Sequence, residues 1–272
     1  MNKEMIIIKP QVRLYKNKIA ALVPLFLFCS PLLWAQKTDT IYNHLDSVIV
    51  SSRNFKISQA KNPYAVSTLD QREIRKTNAR TTPEALMGTA GVFLQKTNHG
   101  GGSAFIRGLT GNQTLLVIDG VRLNNATYRY GPNQYLNTID MFTIEKIDVL
   151  KGIGAIEYGS DAMGGVIQLS TKSANTNDIN SFKLSNTSKF LSSQMERTNR
   201  TEVNYASKSW GIVSGISLKK FGDIMGGETI GIQAPTGYRE KNYNIKAILK
   251  ISDRQEIIFS TQNTIQKKIH IY

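Results

Sequence analysis

The chain has 272 residues, room for one large domain or two smaller ones. Lys plus Arg number 34 against 20 Asp plus Glu, a formal charge of +14; 40% apolar and 20% charged residues describe an ordered chain rather than a disordered one. A mean hydropathy of −0.25 argues against a bundle of membrane-crossing helices. The single cysteine, Cys29, excludes a disulfide framework and cysteine-based zinc or iron–sulfur sites. His44, His99 and His270 are too far apart in the chain to suggest a histidine-rich metal site.

Lys3, Lys9, Arg13, Lys16 and Lys18 precede an apolar run over residues 19–33. As a helix, such a run reaches roughly 22 Å, short of the ~30 Å hydrocarbon core. It ends at Trp34-Ala35-Gln36, so residues 1–35 read as a secretory signal cleaved after Ala35. Phe28 before Cys29 speaks against a lipoprotein site. Removing the leader leaves 29 basic and 19 acidic residues, a charge of +10, and no cysteine. The remaining bases are scattered without a recognition-helix pattern, so nucleic acid is not an expected partner, whereas anionic lipid or an acidic partner is compatible with them.

From about residue 46 to 172, short β-branched runs alternate with turn signals and modest helices. Thr81-Thr82-Pro83-Glu84 has the form of a capping box opening a helix. Residues 115–118 read as a buried strand closed by Asp119-Gly120, and residues 144–150 and 166–171 as further strands. Twelve of the 21 glycines lie between Gly100 and Gly165, which implies tight turns and close backbone approach in a compact domain.

Beyond about residue 173 the period becomes two. Phe182, Leu184 and Phe190 share one parity. Thr201, Val203 and Tyr205 alternate with Arg200, Glu202 and Asn204; Trp210, Ile212, Ile216 and Leu218 repeat the pattern. Tyr243, Ile245, Ala247, Leu249 and Ile251 do so again, and residues 256–263 make a fifth segment. Ten-residue segments of this kind mark a transmembrane β-barrel, although a soluble β-sandwich shares the period. The connections favour the barrel. Lys208-Ser209 and residues 252–254 are short, whereas residues 221–241 form a long polar link expected to lack structure.

Six motifs in order then carry a family resemblance. Asp46-Ser47-Val48-Ile49-Val50 resembles a TonB box. Thr82-Pro83-Glu84-Ala85-Leu86 through Gly91-Val92, Ile106-Arg107-Gly108, and Leu116-Val117-Ile118-Asp119-Gly120-Val121-Arg122 resemble successive plug signatures. Val149-Leu150-Lys151-Gly152 and Tyr158-Gly159-Ser160-Asp161-Ala162-Met163-Gly164-Gly165-Val166-Ile167, followed by Thr171-Lys172, complete the series. Ile153 stands where the family usually has proline. The chain thus resembles the N-terminal part of a TonB-dependent outer-membrane receptor.

The resemblance implies an α+β plug domain, with a mixed sheet and short helices, followed by the first antiparallel strands of a 22-strand barrel. The expected divisions are a signal at 1–35, a periplasmic tether with the TonB box at 36–53, the plug at 54–173 and the opening of the barrel at 174–272. It implies TonB as partner of Asp46, Ser47, Val48, Ile49 and Val50, outer-membrane lipid around the barrel, and a ferric siderophore, haem or another small nutrient as cargo. Apical plug loops at residues 96–99, 109–113 and 126–130 are expected to face that ligand, through Lys96, Asn98, His99, Asn112, Gln113, Tyr128, Arg129 and Tyr130. His99 reads as a solvated loop histidine, with contact to a haem iron as the alternative. Arg107 and Arg122 are expected to form charge pairs between plug and wall.

No resident cofactor is expected, and no enzyme. Gly152-x-Gly154 after an apolar strand lacks a dinucleotide-binding turn's third glycine, Glu157 standing there; Gly100-Gly101-Gly102-Ser103 lacks the lysine of a phosphate loop. Five strands cannot close a barrel whose strand number is even, and an open edge in hydrocarbon leaves backbone groups unpaired. The chain is therefore expected to be a fragment, a truncated frame or part of a split receptor. An importer is the first reading; a non-transporting plug module or non-functional remnant is the second.

Overall fold

The computed structural model describes residues 48–50, 56–58, 65–98, 100–123, 131–152, 158–176, 180–192, 195–227, 229–252 and 255–267. The expected signal peptide, Asp46, Ser47, His99, Tyr128, Arg129 and Tyr130 lie outside these residues. Strand β1 (Val48–Val50) pairs antiparallel with β2 (Lys56–Ser58).

The plug is built on β3 (Ala65–Asp70), helix α1 (Gln71–Lys76), helix α2 (Thr82–Ala85), β4 (Val92–Asn98), β5 (Gly101–Ile106), β6 (Thr114–Ile118), β7 (Val121–Arg122), β8 (Ile144–Lys151) and β9 (Gly165–Thr171). Five of these strands form a mixed sheet in the order β3-β8-β9-β6-β7, in which only β6 and β9 run parallel. Strands β4 and β5 make a separate hairpin. Ile147, Val149, Ile167 and Leu169 project from one sheet face into a core with Leu86, Ile106 and Leu136. Leu115, Val117, Leu150 and Val166 form a second cluster. Alternate residues of one strand are thus buried on opposite faces, which is why β6, β8 and β9 read as continuous apolar runs.

Helix α1 starts at an Asp70 side chain that accepts the Glu73 amide at 2.8 Å, an ordinary N-cap. The expected capping box at α2 forms differently. Thr81 makes no side-chain cap, and Glu84 instead accepts the Arg80 amide and guanidinium. The Glu84 carboxylate thus reaches back past Thr81, holding the amide and the guanidinium of Arg80 together.

The second sheet is five-stranded, antiparallel and open, in the order β10 (Ser181–Leu191), β11 (Glu196–Ala206), β12 (Trp210–Phe221), β15 (Tyr238–Ser252) and β16 (Gln255–Lys267). The long link is shorter and more ordered than expected. It spans residues 222–237 and contains the hairpin β13 (Ile224–Met225) with β14 (Ile232–Gln233). Asp223 ties its base by accepting the Thr236 and Gly237 amides at 2.8 and 2.7 Å.

The alternation of this wall is inverted relative to a soluble sheet. On β12, Gly211, Val213, Gly215, Ser217, Lys219 and Phe221 are buried, whereas Ile216 and Leu218 are exposed. In register with those exposed residues lie Thr201, Asn199, Tyr243 and Lys241. The face away from the plug carries Phe182, Leu184, Trp210, Leu249, Ile257 and Phe259. A sheet with apolar residues outside and charges inside suits lipid on one side and a polar filling on the other. Among the described residues no helix is long and apolar enough to cross a membrane, a fact silent about strands.

Candidate functional site at the plug and wall interface

The inward parity of β11, β12 and β15 brings Arg200, Lys219 and Glu240 to the buried side of the wall, where they meet Asp140 of the plug. Asp140 caps the 3₁₀ turn Met141–Thr143, accepting the Phe142 amide at 3.2 Å, and that turn leads directly into β8. Its carboxylate receives Lys219 Nζ at 2.8 Å on one oxygen. Arg200 Nη1 at 3.2 Å and Ser217 Oγ at 2.5 Å reach the other. The side chains of Asp140, Arg200 and Lys219 are each only 3% exposed, so water does little to screen the arrangement.

Each cation has a second anion. Lys219 donates to Glu240 at 2.9 Å, and Arg200 donates to Glu202 at 2.7 Å and to Asn244 at 2.9 Å. Lys172, at the end of the plug, completes the group by donating to Glu202 at 3.0 Å. Three acids and three bases therefore share one network with no net charge, buried at Asp140, Arg200, Lys219 and Glu240 and partly exposed at Glu202 and Lys172. Burial alone would push the Asp140 carboxyl up; the adjacent Lys219 and Arg200 charges outweigh it and hold the carboxyl below the ordinary aspartate value. Gly215 is part of the geometry, because a Cβ there would lie 2.4 Å from Arg200 Nη2.

Smaller contacts surround this latch. Lys246 of β15 donates to Asp119 at 3.0 Å and to Thr171 Oγ1 at 2.9 Å. Asp119 sits at φ +46° in the β6–β7 turn, where its carboxylate also accepts the Thr171 amide. Lys189 of β10 donates to the Asn78 and Ala79 carbonyls, and Thr264 of β16 donates to the Thr138 carbonyl. Gly211 lets Ala174 approach β12, since a Cβ would stand 2.5 Å from the alanine methyl. Near the long-link end, Gly100 lies under the Tyr238 ring, which stacks on Phe221 at 4.6 Å.

The residues expected at the site divide. Lys96 is not a free donor, because it pairs with Glu84 together with Arg80. Burial would raise the Glu84 carboxyl, yet hydrogen bonds from Arg80 and Lys96 prevail and hold it at about 2. Asn98 ends β4, close in sequence to Gly100. Asn112 is buried within the 3₁₀ turn Gly111–Gln113, and the Gln113 carbonyl accepts the Gly164 amide at 2.8 Å. That turn is tied into the plug, with the Asn133 side chain holding the Gly111 carbonyl. Asn112 therefore serves packing rather than presentation to a ligand.

Arg107 and Arg122 also depart from expectation. Arg122 pairs with Asp161 at 2.7 Å and with the Ser160 carbonyl, both within the plug. Arg107 adopts φ +52° and lies over Gly152. Neither pairs with a wall residue among the described residues. The charges that bridge plug and wall have the opposite distribution: chiefly acids on the plug, Asp119 and Asp140, and bases on the wall, Arg200, Lys219 and Lys246. The signal was present in the polar parity of β11, because the residues opposite Thr201, Val203 and Tyr205 must face the interior of such a wall.

Residues 58–166 match the family model described as TonB-dependent Receptor Plug Domain. The chain is 33% identical over 135 residues to a vitamin B12 transporter BtuB of Vibrio vulnificus, covering 49% of this chain and 22% of that protein. It is 26% identical over 233 residues to the BtuB of Vibrio cholerae, covering 83% and 33%. It thus spans about a fifth to a third of the length of these curated relatives. Among solved structures, the ferric enterobactin receptor PfeA of Pseudomonas aeruginosa superposes with a TM-score of 0.58 at 20% identity, over 76% of this chain and 34% of that one. The pyoverdine receptor FpvA of P. aeruginosa gives 0.64 at 12% identity, over 80% and 27%. These proteins are transporters and receptors, in agreement with a chain that carries no enzyme. Residues 58–166 are thus a plug domain of the TonB-dependent receptor type, seated on an inside-out wall through a buried ionic latch.

Proposed function

We propose that this chain is the plug-bearing portion of an energy-coupled importer in the outer membrane, exported by the leader at residues 1–35 and completed by a barrel of about 22 strands. The observation that carries this reading is the polar character of the plug's seat. Asp140, Arg200 and Lys219 hold the plug by ion pairs and hydrogen bonds, which can be exchanged for water when the plug is drawn away. An apolar seat of the same area would lose its burial free energy outright.

The pull enters through Asp46–Val50. Its described part, Val48–Val50, is a strand paired on one side only among the described residues. Such an edge can add to a partner sheet by backbone hydrogen bonds, and TonB is the partner. The cargo is a bulky metal chelate: a ferric siderophore or haem, as for the enterobactin and pyoverdine receptors it resembles in fold, or a corrinoid, as for the vitamin B12 transporters it resembles in sequence. His99, Tyr128, Arg129 and Tyr130 remain the candidate ligand contacts of the plug.

Replacing Ile49 with proline removes a backbone donor and blocks strand pairing. Uptake of ferric enterobactin, haemin and cyanocobalamin is measured in cells carrying the complete receptor. Uptake of the genuine cargo should collapse while its binding and the receptor's outer-membrane level stay unchanged. Undiminished uptake of a bound cargo would sink the TonB-coupling assignment.

A further inference from the structure

We propose that Tyr238 is a positioning residue for the cargo: from the wall it fixes the turn between β4 and β5, and so sets how the plug presents its candidate contacts. The inference rests on the reading that this turn, at the long-link end of the lumen, faces the cargo.

The buried parity of the wall is polar over most of its length, with Ser217, Lys219, Glu240 and Asn242 among its members. At the long-link end the chemistry changes. Phe221 is the last residue of β12 and Tyr238 the first of β15, directly opposite each other and only 2% and 3% exposed. Their rings stack with centroids 4.6 Å apart and planes 20° from parallel, an arrangement in which aromatic pairs attract.

This pair is the foot of the long link, and the link holds it. Asp223 accepts the Thr236 and Gly237 amides and so joins the two ends of the link. The Gly222 amide donates to the Met195 carbonyl at 3.3 Å, which ties the same foot to the start of β11. A Cβ on Gly237 would lie 2.9 Å from the Phe221 carbonyl oxygen, so the ends also touch.

Tyr238 meets the plug at Gly100. A Cβ there would stand 3.1, 3.2 and 3.4 Å from Cζ, Cε1 and Oη of the tyrosine. The Gly100 backbone lies outside the left-handed region, so the ring, rather than conformation, accounts for the missing side chain. Helix α2 holds the strands on either side of the turn. Glu84 pairs with Lys96 where the β4–β5 register shifts, and a Cβ on Gly102 would stand 3.0 Å from Pro83 Cβ. The strands are thus fixed from within the plug, whereas the turn between them is fixed from the wall.

The two kinds of plug–wall contact differ. The Asp140 network consists of ion pairs and hydrogen bonds that water can replace. A ring packed on a glycine positions by shape alone, and at interior packing density a small shift of the ring is transmitted to the turn. Gly100 directly follows His99, a candidate cargo contact, with Lys96 and Asn98 just before it. The presentation of these residues is therefore set by a side chain that belongs to the long link. Cargo touching the link and cargo touching the turn become coupled through one stacked pair.

The test uses the complete receptor carrying Tyr238→Phe, Tyr238→Leu, Gly100→Ala, or Gly100→Ala together with Tyr238→Leu. In the empty receptor, hydrogen exchange of the β4–β5 amides should quicken about ten-fold in Tyr238→Leu and in Gly100→Ala. It should stay unchanged in Tyr238→Phe, which keeps the ring. Ferric enterobactin, haemin and cyanocobalamin are then titrated against each variant, and uptake of the probe that binds is followed in cells. Its Kd should rise about ten-fold in Tyr238→Leu and about five-fold in Gly100→Ala, because the contacts are misplaced rather than removed. The number of sites per receptor and the uptake rate at saturation should not change. The double variant should bind no more weakly than the weaker single one, since leucine leaves room for the added methyl. Multiplying losses in the double variant, or wild-type Kd and exchange in both single variants, would overturn the proposal. So would fewer sites with an unchanged Kd, which would make Tyr238 a folding residue only. Failure of all three probes to bind the unaltered receptor would instead overturn the cargo reading, while exchange in the empty receptor still decides whether Tyr238 holds the turn.

Discussion

The plug sheet and the wall sheet are both five-stranded, yet they bury opposite chemistry. In the plug, β6, β8 and β9 turn Leu115, Leu116, Ile147, Val149, Ile167 and Leu169 inward, and the sheet closes its own apolar core. In the wall, the apolar parity points away from the protein and the buried parity holds Glu196, Arg200, Lys219, Glu240 and Lys246. A wall of this kind has no core of its own. Its interior charges are satisfied by cross-strand partners and by the plug, so wall and plug complete each other across the Asp140 network. Removing a charge of the Asp140 network should therefore loosen the seated plug more than removing an equivalent charge pair that lies wholly within the plug.

The largest test of that comparison is Asp140→Ala. It leaves Arg200 and Lys219 facing each other with less compensation in a buried site, a loss of about 3–5 kcal/mol. Hydrogen exchange of plug amides in the seated receptor should rise throughout β8 and β9. A triple apolar replacement, Asp140→Leu with Arg200→Met and Lys219→Met, sharpens the point: recovered protection would show that the network positions the plug more than it stabilises it.

Gly215→Val comes next, because the new side chain occupies the space of the Arg200 guanidinium. Arg200 is flexible and Lys219 still holds Asp140, so about 1–3 kcal/mol is expected. The same exchange experiment should show partial loosening, and a further Arg200→Met change should add little.

The Glu84 cluster separates plug stability from plug seating. The Glu84 carboxyl lies at about 2 in the folded plug against an ordinary 4.5, so its contribution is fully present above pH 4.5 and is lost as pH falls from there toward 2. Screening by water leaves about 1–2 kcal/mol. Denaturant unfolding between pH 6 and pH 3 should show that loss, and Glu84→Gln should flatten it.

The smallest effect belongs to Arg122. Its side chain is 42% exposed in the pair with Asp161, so Arg122→Ala should change stability by about 0.2–1 kcal/mol. A loss of several kcal/mol in the same unfolding assay would mean that Arg122 has a wall partner after all.

Much of this was legible from residue order. Asp119-Gly120 marked the end of β6, and the strands over 144–150 and 166–171 formed within a residue of their expected limits. The parity of Trp210, Ile212, Ile216 and Leu218 identified the outward face of β12. Other features were hidden. Asp140 lies in an unremarkable stretch between two 3₁₀ turns, and its carboxylate acquires meaning only from Arg200 and Lys219, some 60 and 79 positions away. Lys96 and Asn112 looked like ligand donors because loops rich in polar residues commonly are, but Glu84 and the Gly111 turn had prior claim on them.

What residue order determined alone is periodicity: which strands alternate, which face of each is apolar, and that the wall must be read inside out. Those properties are local, because neighbouring side chains on a strand point to opposite faces whatever the rest of the chain does. What only the tertiary structure decided is register and partnership: that the Tyr238 ring lies over Gly100, that Asp140 sits between two wall cations, and that Arg122 turns to Asp161. These depend on how distant segments slide past one another, and a slip of one position moves every side chain of a strand to the other face.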